Sequence, residues 1–138
     1  MNRSQLDKYI TDYYGVRAER LFEKNPGFQA YRHNDTKKWF AMIMDLSESR
    51  LGLDGQEIID VVNLKCDPIL IGSLRMEQGF YPAYHMNKEN WITAVLDSGA
   101  PDAQIRTLLA MSYDMTAPWR GRTAKKRNKN QAAAGHLR

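Results

Sequence analysis

Lys65, Cys66 and Asp67 stand side by side, and His85 and Lys88 follow further along the chain. A thiol beside an imidazole can act as a nucleophile, and a lysine can serve as a base or as an electrostatic clamp, so an enzyme is one reading of these residues. Strand alternation, however, points Lys65 and Cys66 to opposite sides, and Asp67 followed by Pro68 is the signature of a helix start. A lone cysteine at a strand end usually serves as a small buried apolar group. Nothing in the spacing obliges the thiol and the imidazole to meet, so no catalytic residue is assigned and a non-enzymatic role is expected.

A second chemistry is phosphate binding. Arg32, His33, Lys37 and Lys38 surround one polar turn, and His85 and Lys88 surround another, although Asp35 and Glu89 dilute the charge at both. The strongest cation source is the C-terminal stretch. Residues 119–138 hold seven basic residues and no acidic one, namely Arg120, Arg122, Lys125, Lys126, Arg127, Lys129 and Arg138, whereas the preceding residues are net negative despite a formal charge of +4 for the whole chain. Rich in Gly, Asn, Gln and Ala and without apolar periodicity, residues 118–138 read as a disordered basic tail. Such a segment contacts phosphates and weakens with salt. Trp119 at its root could stack on a base.

The elements that position these residues follow from pattern. Leu6, Tyr9, Ile10 and Tyr13 lie on one face of a helix that Gly15 stops. After the turn Asn25-Pro26-Gly27, Phe28 to Arg32 and Trp39 to Leu46 form a hairpin around Asn34-Asp35-Thr36-Lys37. A loop over residues 47–55 leads into a strand from Glu57 to Lys65, then a helix from Asp67 to about Gln78. Phe80 to Met86 and Trp91 to Leu96 are predicted as two strands, with Pro82 placing the first at an edge or bulge. Pro101 opens a last helix, to about Met115, with Ile105, Leu108, Leu109 and Ser112 on one face. Residues 16–24 are assigned to no element. The expected class is α+β: helix, three strands, helix, two strands, helix, with an antiparallel sheet covered on one face by helices and its other face partly open.

At 138 residues and 43% hydrophobic, the chain suits one domain. With no leader-like segment, no long apolar run and one cysteine, it reads as a soluble cytoplasmic protein with no membrane role.

Several spaced matches carry a resemblance. Lys38 with Phe40, Asn63-Leu64-Lys65-Cys66-Asp67-Pro68, Tyr84-His85-Met86-Asn87-Lys88 with Trp91, Pro101-Asp102, and Ser112-Tyr113 make the chain resemble the YjbR/MmcQ family of small bacterial proteins, over about residues 3–117. The resemblance implies a fold similar to the CyaY-like and secretion-chaperone-like architectures, and a DNA-binding double wing made of two protruding hairpins. CyaY-like proteins imply an iron role carried by acidic surface. Here only Asp7 with Asp12, Glu19 with Glu23, and Glu57 with Asp60 come close in sequence, with no histidine at ligand spacing, so neither metal nor cofactor is expected.

The reading from sequence is a binding protein of one domain, residues 1–117, with a basic tail. Its expected partner is DNA or RNA, held without sequence readout by the tail and by Arg32, Lys37, Lys38, His85 and Lys88 at the hairpin wings. The alternative is a protein or peptide module using an aromatic, exposed sheet face. An enzyme near Lys65, His85 and Lys88 comes third.

Overall fold

The computed structural model describes residues 1–118. Helix α1 (Arg3–Tyr14) starts at a capping box in which the Asn2 side chain accepts from the Gln5 N–H and the Gln5 side chain accepts from the Asn2 N–H. Gly15, at φ 69°, ends it in the left-handed region that glycine enters without cost. There follow β1 (Glu19–Phe22), β2 (Asn25–Arg32), β3 (Trp39–Ser47), a 3-10 turn (Glu48–Leu51), β4 (Ile58–Lys65), α2 (Pro68–Leu74), β5 (Phe80–Pro82), β6 (Trp91–Val95) and α3 (Asp102–Thr116). The strands form one antiparallel sheet in the order β1-β2-β3-β4-β6-β5.

The α+β class is as expected, but the sheet has six strands rather than five. β1 escaped pattern reading because Glu19, Arg20 and Phe22 are exposed and only Leu21 turns inward, which leaves no alternation to detect. The strand predicted over Phe80 to Met86 stops at Pro82. Proline offers no N–H to a ladder, and beyond it the Tyr84 N–H donates to the Thr93 side chain instead of to backbone, while His85 turns to φ 60°. Residues 83–90 therefore form a loop. The basic tail and its cations, Arg120, Arg122, Lys125, Lys126, Arg127 and Lys129, lie outside the described residues.

Two cores sandwich the sheet. On the helix side Leu6, Ile10, Tyr31, Phe40, Ile43, Val62, Leu64, Ile92, Ile105 and Leu109 are among the buried residues, each such apolar side chain contributing roughly 1.5–3 kcal/mol. On the second side Ala30, Met42, Met44, Leu46 and Val61 are buried beneath Leu21, Phe28, Leu51, Tyr84 and Met86. The face expected to lie partly open is thus closed at its middle. Register explains the unbroken burial from Phe40 to Met44: pairing passes from Tyr31↔Ala41 to Arg32↔Trp39, leaving Phe40 as an extra residue. That bulge lets Phe40 join Ala41 on the helix side, while Met42 and Met44 take the other.

Candidate functional site

The antiparallel order brings the C-terminal ends of β2, β4 and β5 and the N-terminal ends of β3 and β6 to one end of the sheet. Both polar loops, residues 33–38 and 83–90, therefore lie at the same end as the Lys65-Cys66-Asp67 run. Helix α3 also finishes there. Ser112 ties it down: its hydroxyl donates to the Phe40 carbonyl at 2.6 Å and accepts from the Lys65 N–H at 2.9 Å. One side chain thus bridges β3 and β4 just beyond their last direct pair, Ala41↔Leu64.

His33 performs a second docking. Tyr31 and His33 are two residues apart on β2 and its extension, so both face the helices. His33 Nε2 lies 3.0 Å from the Tyr113 carbonyl and 2.9 Å from Thr116 Oγ1, in the last turn of α3. A carbonyl can only accept, so Nε2 carries the proton. Burial holds the imidazole below its usual pKa, against the opposing effect of that carbonyl. Its ring packs on Tyr113 at 4.3 Å, and Tyr113 in turn on Tyr14 at 4.6 Å and Phe40 at 4.9 Å. His33 is therefore an anchor of the first turn rather than one of its exposed cations.

The family-like motifs build the second loop. Asp67 caps α2 through the Ile69 N–H at 2.9 Å, with Pro68 in the first turn, as the sequence suggested. The Cys66 N–H donates to the Asn90 carbonyl at 2.8 Å and the Trp91 N–H to the Asn87 carbonyl at 3.0 Å, while Asn87 Oδ1 accepts from the Glu89 N–H at 2.8 Å. Lys88 Nζ donates to the Ala83 carbonyl at 2.9 Å. Beneath the loop, fully buried Asn63 donates to the Tyr84 carbonyl at 2.8 Å and accepts from the Thr93 hydroxyl. Thr93 was missed as an organising residue, yet a signal existed: a lone polar residue amid Ile92 and Ala94, like Asn63 amid Val62 and Leu64, must find a partner when buried.

The exposed cations are Lys37, Lys38 and Lys88, together with exposed His85, whose ring lies 4.0 Å from that of Tyr84. Arg32 is engaged by Glu19 of β1 through two hydrogen bonds, 2.9 and 2.5 Å, which lowers the carboxyl pKa of Glu19. Cys66 is buried in the helix-side core, and burial pushes its thiol up. Exposed His85 sits on the loop over the opposite side, so the cysteine and histidine are not brought together.

A further pattern appears on the second face. Arg32 pairs directly with Trp39, and Lys65 directly with Trp91. Directly paired residues share a face. Arg32 has the parity of Ala30, and Lys65 that of Asn63 and Val61, so both cation–tryptophan pairs stand on the Met42 side of the sheet. Carboxylates gather at the far end, where Asp45 pairs with Asp60 and Glu48 and Glu57 follow, with Arg3 near Asp60 at 3.3 Å. Among the described residues, no three His, Cys, Asp or Glu side chains could hold a metal ion, and no helix is long and apolar enough to cross a membrane.

The family model YjbR matches residues 11–115. A Bacillus subtilis protein named YyaQ is 37% identical over 116 residues, covering 84% of this chain and 98% of its own. A crystal structure of a Pseudomonas syringae protein is similar at 41% identity and a TM-score of 0.82, over 85% of this chain and 100% of that one. A Deinococcus radiodurans structure, at 20% identity and a TM-score of 0.65 over 93% and 88% of the two chains, shares the fold. The chain belongs to the YjbR family.

Proposed function

We propose that this YjbR-family chain is a non-enzymatic nucleic-acid-binding protein that engages phosphates without reading sequence. The observation that carries the proposal is the contact between His33 and the last turn of α3. It puts the Lys37-Lys38 turn beside Thr116, and Arg120 follows four residues later, a span of at most about 14 Å. The described residues end at Pro118, two residues beyond Thr116, and on this reading the basic segment that follows acts together with the loop cations. Asp35, Asp67, Glu89 and Asp114 offset Lys37, Lys38, Lys65 and Lys88, so on this reading the net positive charge for phosphates is supplied by the seven cations of residues 119–138. The far-end carboxylates orient the molecule, repelling a polyanion there.

The test is fluorescence anisotropy of labelled duplex and single-stranded DNA against the full chain, a 1–118 truncation and a Lys37→Ala/Lys38→Ala variant, at two salt concentrations. The Pseudomonas syringae chain is matched along its whole length by 85% of this one, which supports a truncation that still folds. Binding should weaken steeply with salt and fall sharply on truncation. Absence of binding by the full chain at about 50 mM salt would overturn the proposal.

A peptide-binding module is the second reading, and one observation favours it. Ile69 and Met76 of the α2 region are 85% and 87% exposed, and Met76 lines a groove with Arg75, Gly79, Phe80 and Pro82. Its surface would be the α2 side of the molecule, not the sheet face, whose middle is buried.

A further inference from the structure

We infer that the second face, at the loop-bearing end of the sheet, is a stacking platform for single-stranded nucleic acid, with bases on Trp39 and Trp91 and phosphates facing Arg32 and Lys65. The inference rests on the nucleic-acid reading above and narrows its ligand to unpaired strands.

Register places the four side chains together. Arg32↔Trp39 and Lys65↔Trp91 are direct cross-strand pairs on one face, in the row where β2, β3, β4 and β6 all end or begin. Trp39 remains 36% exposed and Trp91 is partly exposed, whereas the residues one step inward on that face, Met42 and Asn63, are buried. The platform therefore lies beyond the second core, and Trp91 is tied to the loop of residues 83–90 through its N–H to the Asn87 carbonyl.

Alternation of flat rings with cations fits an unpaired strand. Every base has a π-face, so stacking tolerates any sequence, and the cations take the phosphates that alternate with the bases. A duplex keeps its bases stacked inside and could offer this face only its backbone. Spacing adds a constraint. Trp39 and Trp91 are separated by β4, so their backbones lie roughly 10 Å apart. A stacked strand advances about 3.4 Å per nucleotide. The two rings therefore take splayed bases, not neighbours in a continuous stack, which again excludes a duplex.

Glu19 sets the orientation of Arg32: its two hydrogen bonds hold the guanidinium along β2 on the face it shares with Trp39 and offset its charge, so a phosphate there competes with the carboxylate. Cation–tryptophan pairs that merely covered a sheet end would have the same register but no consequence for binding.

The experiment uses the full chain with Trp119→Phe, so that fluorescence reports Trp39 and Trp91 alone, titrated with oligo(dT) and with a duplex of equal length. Oligo(dT) should quench the emission and bind more tightly than the duplex. Trp39→Ala should lower oligo(dT) affinity about 5- to 150-fold, the stacking contribution of one base, and leave duplex affinity unchanged, while Trp39→Phe retains most of the binding. Lys65→Gln, which leaves both rings in place, should reduce the salt dependence of oligo(dT) binding by about one phosphate contact. Should oligo(dT) bind with its affinity unmoved by both Trp39→Ala and Lys65→Gln, the platform is overturned and the nucleic-acid reading survives. Should neither nucleic acid bind, both fall.

Discussion

The Thr93 hydroxyl donates to Asn63 Oδ1 at 2.5 Å, across the direct pair that these residues form between β4 and β6. The bond belongs to a closed set. Asn63 donates onward to the Tyr84 carbonyl, and the Tyr84 N–H returns to Thr93 Oγ1 at 3.0 Å. Each polar group in the triangle satisfies another, and Asn63 and Thr93 are fully buried, so the loop over residues 83–90 is fixed to the sheet by side chains instead of by strand pairing.

Replacing Thr93 by Val keeps the shape and removes the hydroxyl. Asn63 Oδ1 and the Tyr84 N–H lose their partner, which should cost about 1–3 kcal/mol in urea unfolding. Amide exchange at Tyr84 should accelerate more than exchange in β3. Unchanged stability together with unchanged exchange would show that the triangle does not hold the loop.

His33 makes stability depend on pH. Its folded pKa lies below its unfolded value because burial disfavours the charged ring. The unfolded chain therefore binds the proton more readily, so this contribution is complete above about pH 6.5 and is lost as pH falls from there through the folded value. The melting temperature of the wild type should fall between pH 7.5 and 5.5 by more than that of His33→Gln. Parallel pH profiles for the two proteins would refute the assignment.

Cys66 should be inert in the folded protein. It is fully buried and its thiol is pushed up by that burial, so little thiolate exists and little reagent reaches it. Alkylation with iodoacetamide at about pH 8 should be slower by roughly tenfold or more in buffer than in about 6 M guanidinium, which exposes the thiol. Fast labelling of the native protein would mean that the α2 end of the core opens.

Glu19→Gln should strengthen nucleic-acid binding. The substitution removes the negative charge that engages Arg32 while leaving an amide able to accept a hydrogen bond. The slope of log affinity against log salt should steepen by up to about one unit, the signature of one more phosphate contact. An unaltered slope would place Arg32 outside the interface.

How far the sequence reached depends on whether a residue's task is local. The Asp67-Pro68 start of α2, the Gly15 stop and the polar turn before Trp39 were legible because a cap or turn is specified by neighbouring residues. β1 was not, since a short edge strand with one inward residue has no period. The strand beyond Pro82 failed because Asn63, distant in sequence, claims the Tyr84 carbonyl. His33 was grouped with the turn cations although its parity with Tyr31 already pointed it toward the helices. The second core had its own sign: the uninterrupted apolar run from Phe40 to Met44 is the pattern of a strand covered on both faces. Trp39 and Trp91 could be paired with Arg32 and Lys65 only once register was known.

Because His33 and Phe40 are both secured by the last helix, the order of synthesis matters to what a nascent chain can touch. At 5–20 residues per second, ribosomal elongation from Arg32 to Thr116 takes roughly 4–17 s, during which the first hairpin has been made but its latch has not. The basic segment is translated only after that latch. A polypeptide truncated before α3 would therefore lack both the ties that Ser112 and Thr116 make to the sheet end and the seven cations of residues 119–138.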